Sequence, residues 1–372
     1  MLCDGKDRIC QAVTVKIVAK QMNAIQNLPP GPLDIVGDIH GEIEALTALL
    51  RHLGYDADGN HPRQRTLIFV GDLVDRGPDS PAVLKLVERL VKTGRAFAIL
   101  GNHEINLLAN EAKDGSGWYF DERVESDNVK YAPFIRATFE EKIAAVAFLL
   151  TLPIALERPD LRIIHAAWIA ADIEKLREVQ LENVLSKYKE WDAAADNYAK
   201  DLRPKIREEL KTWPYGLEDQ SKQPPFLHAH AEHDSVSQMM NPLKILTSGV
   251  EREASKPFYA SGKWRFLDRV KWWDEYDEPV PVVIGHYWRR YHSLANPEYG
   301  KGEPGMFDDI PSNAWHGKRG NVFCIDYSVG GRWSERKFGE KNKTLAKLGA
   351  LKWPERVLIF DDGVEIPSIG PD

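Results

Sequence analysis

A chain of 372 residues with 49 Lys and Arg against 56 Asp and Glu, net charge −7, repels polyanions as a body, so nucleic acid is not an expected partner and an anionic substrate needs a local positive source. Hydrophobic residues at 43% supply a full globular core, and three scattered cysteines, Cys3, Cys10 and Cys324, argue against a disulfide framework. No apolar run reaches the length of a membrane span, and the charged start (Asp4, Lys6, Asp7, Arg8) is a poor secretory signal, so a cytoplasmic protein without membrane contact is expected.

Residues 12–28 place Val13, Ile17, Met22, Ile25 and Leu28 near helical intervals before Pro29, Pro30 and Pro32, which predicts a helix. Three segments then repeat one design: "LDIVGDIHG" (33–41), "TLIFVGDLVDRG" (66–77) and "AFAILGNHE" (96–104) each run from a short apolar strand through glycine into polar residues. Helical patterns, "EIEALTALLRHLG" and "SPAVLKLVERLVKTG", follow the first two, with Asp79 and Pro81 suited to start the second. This is βαβαβ order, which implies parallel strands. "LRIIHAAW" (161–168) and "PVVIGHYW" (281–288) end in histidine, and "NVFCIDYS" (321–328) and "RVLIFDDG" (356–363) read as later strands. The stretch 170–275 differs. Residues 171–212 are charged with a helical period, and 214–262 are rich in loop residues. It is expected to be an insertion or cap on one domain spanning 1–372.

Polar groups at the ends of buried strands are costly unless something compensates them. Five strand ends deliver Asp38 and His40, Asp72, Asn102 and His103, His165, and His286. Carboxylate, imidazole and amide together are the donor set of a two-metal hydrolase. Gly37, Gly71, Gly101 and Gly285 precede these residues and allow a tight turn out of each strand. Singly, each piece has a plainer reading: a turn, a helix-capping ion pair at Asp72, Asp75 and Arg76, a core histidine at His165. The plainer readings weaken together, because the pieces recur at equivalent points of successive strands.

"GDIHG", "GDLVDRG" and "GNHE", in that order, resemble the PPP-type calcineurin-like metallophosphoesterases, which include serine/threonine protein phosphatases and bacterial diadenosine tetraphosphatases. With His165 and His286 the resemblance covers about residues 33–170 and 280–330. It implies an α/β fold, the metallophosphoesterase β-sandwich flanked by helices, here with a largely helical insertion. It implies that Asp38 and His40 bind one divalent ion, that Asp72 bridges two, and that Asn102, His165 and His286 bind the second. His103 becomes the general acid, Asp75 its orienting partner, and Arg76 the grip on the phosphoryl oxygens; Glu104 supports the site. Manganese is the first expectation for the two ions, with iron, zinc or cobalt as alternatives. The implied reaction is hydrolysis of phosphate monoesters, on protein or small molecule, by attack of a bridging hydroxide. Hydrolysis of nucleotides or dinucleoside polyphosphates is the alternative, and a non-catalytic scaffold that binds phosphate through metal a second.

Departures accompany the match. Ala166 and Ala167 follow His165 where the protein phosphatases usually carry two glycines. A second phosphate-binding arginine has no obvious place; Arg252, Arg265, Arg289 and Arg290 are candidates. Tyr327 either lines the pocket or packs. "FLHAHAEHD" (226–234) gathers His228, His230, Glu232, His233 and Asp234 and superficially resembles the metal motif of metallo-β-lactamase folds, but no apolar strand leads into it and a solvated loop is expected. All eleven tryptophans lie after residue 117. Core and cap packing is their expected role, with Trp168, Trp272, Trp273 and Trp288 as alternatives for stacking an aromatic leaving group.

Overall fold

In the computed structural model, which describes residues 22–260, 262–291, 305–338 and 346–370, the described part of the expected helix 12–28 contains a strand instead. β1 (Ile25–Asn27) pairs in parallel with Ala155, Leu156 and Glu157; residues 12–21 lie outside the described chain. The ladder is closed by the Ala24 N–H donating to Val179 and the Leu28 N–H donating to Glu157. Its partners are far away in sequence, so local spacing could not reveal it.

The strands that follow are β2 (Leu33–Val36), β3 (Thr66–Phe69), β4 (Ala96–Ala98), β5 (Ala155–Arg158), β6 (Leu161–Ile164), β7 (Glu251–Ala260), β8 (Lys263–Arg269), β9 (Val282–Ile284), β10 (Val322–Cys324), β11 (Gly349–Trp353), β12 (Val357–Phe360) and β13 (Glu365–Pro367). One sheet runs β13-β12-β11-β2-β3-β4, parallel through β2–β4 and antiparallel on its other side; a second runs β1-β5-β6-β9-β10; β7 and β8 form a separate antiparallel hairpin. Helices Ile43–Leu53 and Ser80–Lys92 make the first crossovers. The first ends on Gly54 at φ 95°, a left-handed cap that suits glycine. The second starts with the Asp79 carboxylate accepting from the Ala82 N–H, with Pro81 in the first turn.

Strand periodicity places the core. Leu33 and Ile35 of β2, Ile68 of β3, Leu161 and Ile163 of β6, Val283 of β9, Phe323 of β10 and Leu351 of β11 share one cluster between the two sheets. Alternate residues, Val36, Leu67, Phe69, Ile164, Val282 and Ile284, join Leu46, Leu49, Val83, Val87 and other helical residues in a second cluster. The result is a β-sandwich with helices outside. Among the described residues no helix is long and apolar enough to cross a membrane.

The stretch 170–275 carries helices Ala170–Arg177, Val184–Tyr198, Leu202–Thr212, His228–Met239 and Pro242–Ser248, then the β7–β8 hairpin. Residues 214–262 are therefore less loop-like than their prolines suggested, and the three histidines of 226–234, His228, His230 and His233, lie on a helix rather than a solvated loop. Ala229 and Ala231 of that helix are buried, and the Glu209 carboxylate accepts from the Ala229 and His230 N–H groups at its amino end.

Candidate active site

The carboxyl ends of β2, β3, β4, β6 and β9 converge, as strand ends do in sheets of this kind. The close approach depends on glycine. Gly71 sits at φ 96°, and a Cβ there would stand 2.5 Å from the Gly101 nitrogen and 2.9 Å from His165 Nδ1. Asp38, His40, Asp72, Asp75, His103, His165 and His286 are all buried where the chain turns out of its strands.

Asp72 stands at the centre. Its Oδ1 accepts from the His103 N–H at 3.1 Å and lies 3.3 Å from His165 Nε2, while its Oδ2 lies 3.7 Å from His40 Nε2 and 3.8 Å from His103 Nε2. Two donor groups share it: His40, Asp72 and His103, and Asp72, His165 and His286, the atoms of each group lying within 4.8 Å of one another. The Asn102 amide oxygen is 3.2 Å from His165 Nε2 and 2.9 Å from His286 Nδ1. His165 Nδ1 donates to the Val70 carbonyl at 2.8 Å and His40 Nδ1 to the Val74 carbonyl at 3.0 Å, bonds that orient each ring with Nε2 toward the centre. Asp38 falls outside both groups. Its Oδ2 accepts from the His286 N–H at 3.0 Å, and its buried Oδ1 has no hydrogen-bond partner.

The electrostatics favour cations in the pocket. Burial and the neighbouring Asp326 charge push Asp38 well above the ordinary carboxylate range. Burial works against the Asp72 charge too, yet His165 and His103 hold it well below that range. Burial, with the Arg76 charge, lowers His40, and burial, with the Arg269 charge, lowers His286. Cations accommodate these conflicts: they neutralise crowded carboxylates and use neutral imidazoles. The buried, unpartnered Asp38 Oδ1 and His286 Nε2 supply further donors, so the residues fit divalent ions with mixed nitrogen and oxygen ligands. Among the described residues the 228–234 histidines form no comparable group.

Beside this centre, His103 Nδ1 meets Asp75 Oδ2 at 2.6 Å, and the other Asp75 oxygen accepts from Trp118 Nε1 at 2.5 Å. Arg76 Nη1 lies 3.0 Å from His40 Nε2, with the guanidinium 5.0 Å from the Trp288 ring centre. Glu104 accepts from the N–H groups of Gly101, Asp72 and Leu73, each at 2.8 Å, and ties two of the converging turns together. Burial and the Asp72 charge push its carboxyl up to about 7.

Sequence reasoning missed three participants. Asp326, at the end of β10, is buried and accepts from the Trp288 and Ser328 N–H groups. An apolar run entering a charge, as in "CIDYS", was the available signal. Trp118 and Arg269 had no local signal. Of the four arginine candidates, Arg289 is buried and donates to the carbonyls of Cys324, Pro311 and Ala314, so it is committed to the framework. Arg252 does not line the cleft, whereas Arg265, Arg290 and the overlooked Arg269 do. Tyr327 packs: its ring meets Phe360 and its hydroxyl donates to the Ser312 carbonyl. Trp168, Trp272 and Trp273 are buried, but Trp288 is exposed.

The description "calcineurin-like phosphoesterase" belongs to a family model that matches residues 31–292. An asymmetrical bis(5'-nucleosyl)-tetraphosphatase of Oceanobacillus iheyensis is 50% identical over 74 residues, 19% of this chain and 30% of that protein. A symmetrical one of Ralstonia nicotianae is 44% identical over 85 residues, 23% of this chain and 26% of that protein. The chain thus spans under a third of the length of these curated relatives. The crystal structure of a cold-active protein-tyrosine phosphatase from a psychrophilic Shewanella is 14% identical with a TM-score of 0.49, covering 93% of this chain and 82% of that one.

Proposed function

Because the chain belongs to the calcineurin-like phosphoesterase family, we propose that its strand-end centre hydrolyses phosphate monoesters, carried on protein or on a small molecule. The observation that carries the proposal is Asp72, shared by two donor groups with the His103–Asp75 pair beside it. Asp38 and His40 would hold one ion, Asp72 both, and Asn102, His165 and His286 the second, with manganese proposed first and iron, zinc or cobalt next. The ions would supply an activated water and a local positive charge in an acidic chain. Arg76 grips the phosphoryl oxygens, and Arg269 is placed to assist it. His103 delivers the proton that the leaving oxygen requires, and Asp75 fixes the ring so that Nε2 faces the cleft. A binding scaffold without turnover has no use for this oriented acid.

A second reading has support of its own. The cleft is large, about 1930 Å³, and is lined by β7, β8 and helix Pro242–Ser248 as well as by the centre, which supports reading the 170–275 stretch as a cap. It has room for a substrate the size of a dinucleoside polyphosphate, on which the tetraphosphatase relatives are named to act. The deciding experiment is release of phosphate from an aryl phosphate, a phosphopeptide and a dinucleoside polyphosphate by manganese-loaded protein. Monoester hydrolysis is expected to exceed polyphosphate cleavage; the reverse order selects the second reading, and inertness toward all three overturns both. His103→Asn should slow esters with poor leaving groups most, and equal slowing of good and poor ones would remove the general acid from the mechanism.

A further inference from the structure

Backbone conformation marks one more residue as part of the site. Among the described residues other than glycine, ten have φ in the left-handed region, and five of them are His40, Asp72, Asp75, Arg76 and His286. Trp288, at φ 55°, is a sixth at this site. A bulky aromatic rarely adopts that conformation, and such outliers persist where the surroundings enforce them. Here the enforcing contact is the Trp288 N–H donating to buried Asp326 at 2.7 Å. The turn that aims His286 inward therefore aims Trp288 into the cleft.

The ring is placed for contact with substrate. Its neighbours Tyr287 and Arg289 are buried, but Trp288 is 38% exposed and lines the cleft. It is the one exposed residue among the eleven tryptophans, all of which are described. The Arg76 guanidinium lies 5.0 Å from its centroid and the His40 ring 6.4 Å. A phosphoryl group held by Arg76 therefore brings the first atoms of its leaving group against the indole. A ring bonded directly to the ester oxygen reaches that surface, whereas a nucleobase lies a ribose farther out.

Resting on the monoester reading above, we propose that Trp288 is the stacking surface for an aromatic leaving group and that aryl phosphates are the preferred substrate class. In the reaction, the oxygen of water bonds to phosphorus, the phosphorus–aryl oxygen bond breaks, and that oxygen keeps the electron pair and takes a proton from His103. One water proton stays on the phosphate and the other leaves to solvent, from which His103 is reprotonated; the products are a phenol and inorganic phosphate.

The test separates stacking from turnover. Calorimetry on manganese-loaded protein compares benzylphosphonate with propylphosphonate, neither of which is hydrolysed. The wild type should favour the benzyl compound by about tenfold, Trp288→Ala and Trp288→Leu should reduce the preference to about twofold or less, and Trp288→Phe should retain most of it. The ratio of kcat/KM for phenyl phosphate over glycerol 2-phosphate should fall in step. Equal weakening of both phosphonates in the Ala and Leu variants would make Trp288 a support for Arg76 and overturn the proposal, as would an unchanged preference. If the wild type hydrolyses neither ester yet retains the benzyl preference, the hydrolase reading fails and the stacking surface stands. If it hydrolyses esters without aryl preference, stacking fails and the hydrolase reading stands.

Discussion

Gly285→Ala tests the placement of Asp38 with a single methyl group. A Cβ at position 285 would stand 2.1 Å from Asp38 Oδ1 and 3.0 Å from Val70 Cγ2, whereas ordinary contact begins at 3.4 Å. The carboxylate must therefore recede by about 1.3 Å, the gap between those distances. Gly285 is not among the glycines of positive φ, so the backbone accepts alanine and the perturbation is steric. Retreat is obstructed, because Asp38 Oδ2 is tied to the adjoining His286 N–H. Overpacking of this kind costs roughly 1–3 kcal/mol of stability. A ligand displaced by about 1 Å costs on the order of 100-fold in turnover. Urea unfolding measures the first, and phosphate release from an aryl phosphate the second. Calorimetric titration with manganese should show affinity at least about tenfold weaker. Manganese affinity and turnover equal to wild type would refute Asp38 as a ligand held in place by contact with Gly285.

Glu104→Gln offers one acceptor oxygen where the carboxylate satisfies three N–H groups. It should lose about 1–3 kcal/mol in urea unfolding and bind manganese more weakly, because the Asp72 turn is no longer tied to Gly101. Trp118→Phe removes the donor to Asp75 Oδ1; turnover of esters with poor leaving groups should fall while manganese affinity holds, since the lost hydrogen bond goes to Asp75 and not to a proposed ligand. Arg65→Ala strands Asp34, a buried carboxylate that also accepts from the Tyr55 hydroxyl, and should cost about 3–5 kcal/mol near neutral pH. Burial already raises the Asp34 pKa above 3.8 against the Arg65 charge. A carboxyl raised in the folded state favours folding below its unfolded pKa and loses that advantage as pH rises through its folded pKa. Losing Arg65 raises the folded pKa further, so the penalty measured by urea unfolding should shrink as pH falls toward 4.

The site was legible where chemistry and local pattern coincide. Each strand that ends in glycine and a donor announces itself within nine residues or so, because the turn and the donor are neighbours in sequence. The same locality explains what was hidden. β1 exists through pairing with Ala155–Glu157, and its own spacing resembles a helix. The histidines of 226–234 looked like a loop because the prolines before them dominate the pattern, while burial of Ala229 and Ala231 and the Glu209 cap lie outside that window. Trp118 reaches Asp75 across 43 positions, and Arg269 is brought near His286 by the hairpin, so neither had a local signature. Arg289 reads like its neighbour Arg290, and only tertiary structure shows that its guanidinium is spent on carbonyls.

His165 and His286 bracket the 170–275 stretch, yet their rings lie 5.3 Å apart. For chain statistics this pair is the neck of a loop of about 120 residues. An ion that takes both rings acts as a reversible cross-link across that neck, of the kind that restricts an unfolded chain most when the loop is long. If the centre takes a cation through these two rings, loading it would shorten the free contour of the polypeptide as well as equip it for the proposed chemistry. A chelator would restore that contour, and the segment between the two histidines would gain the freedom to come apart before the sandwich does.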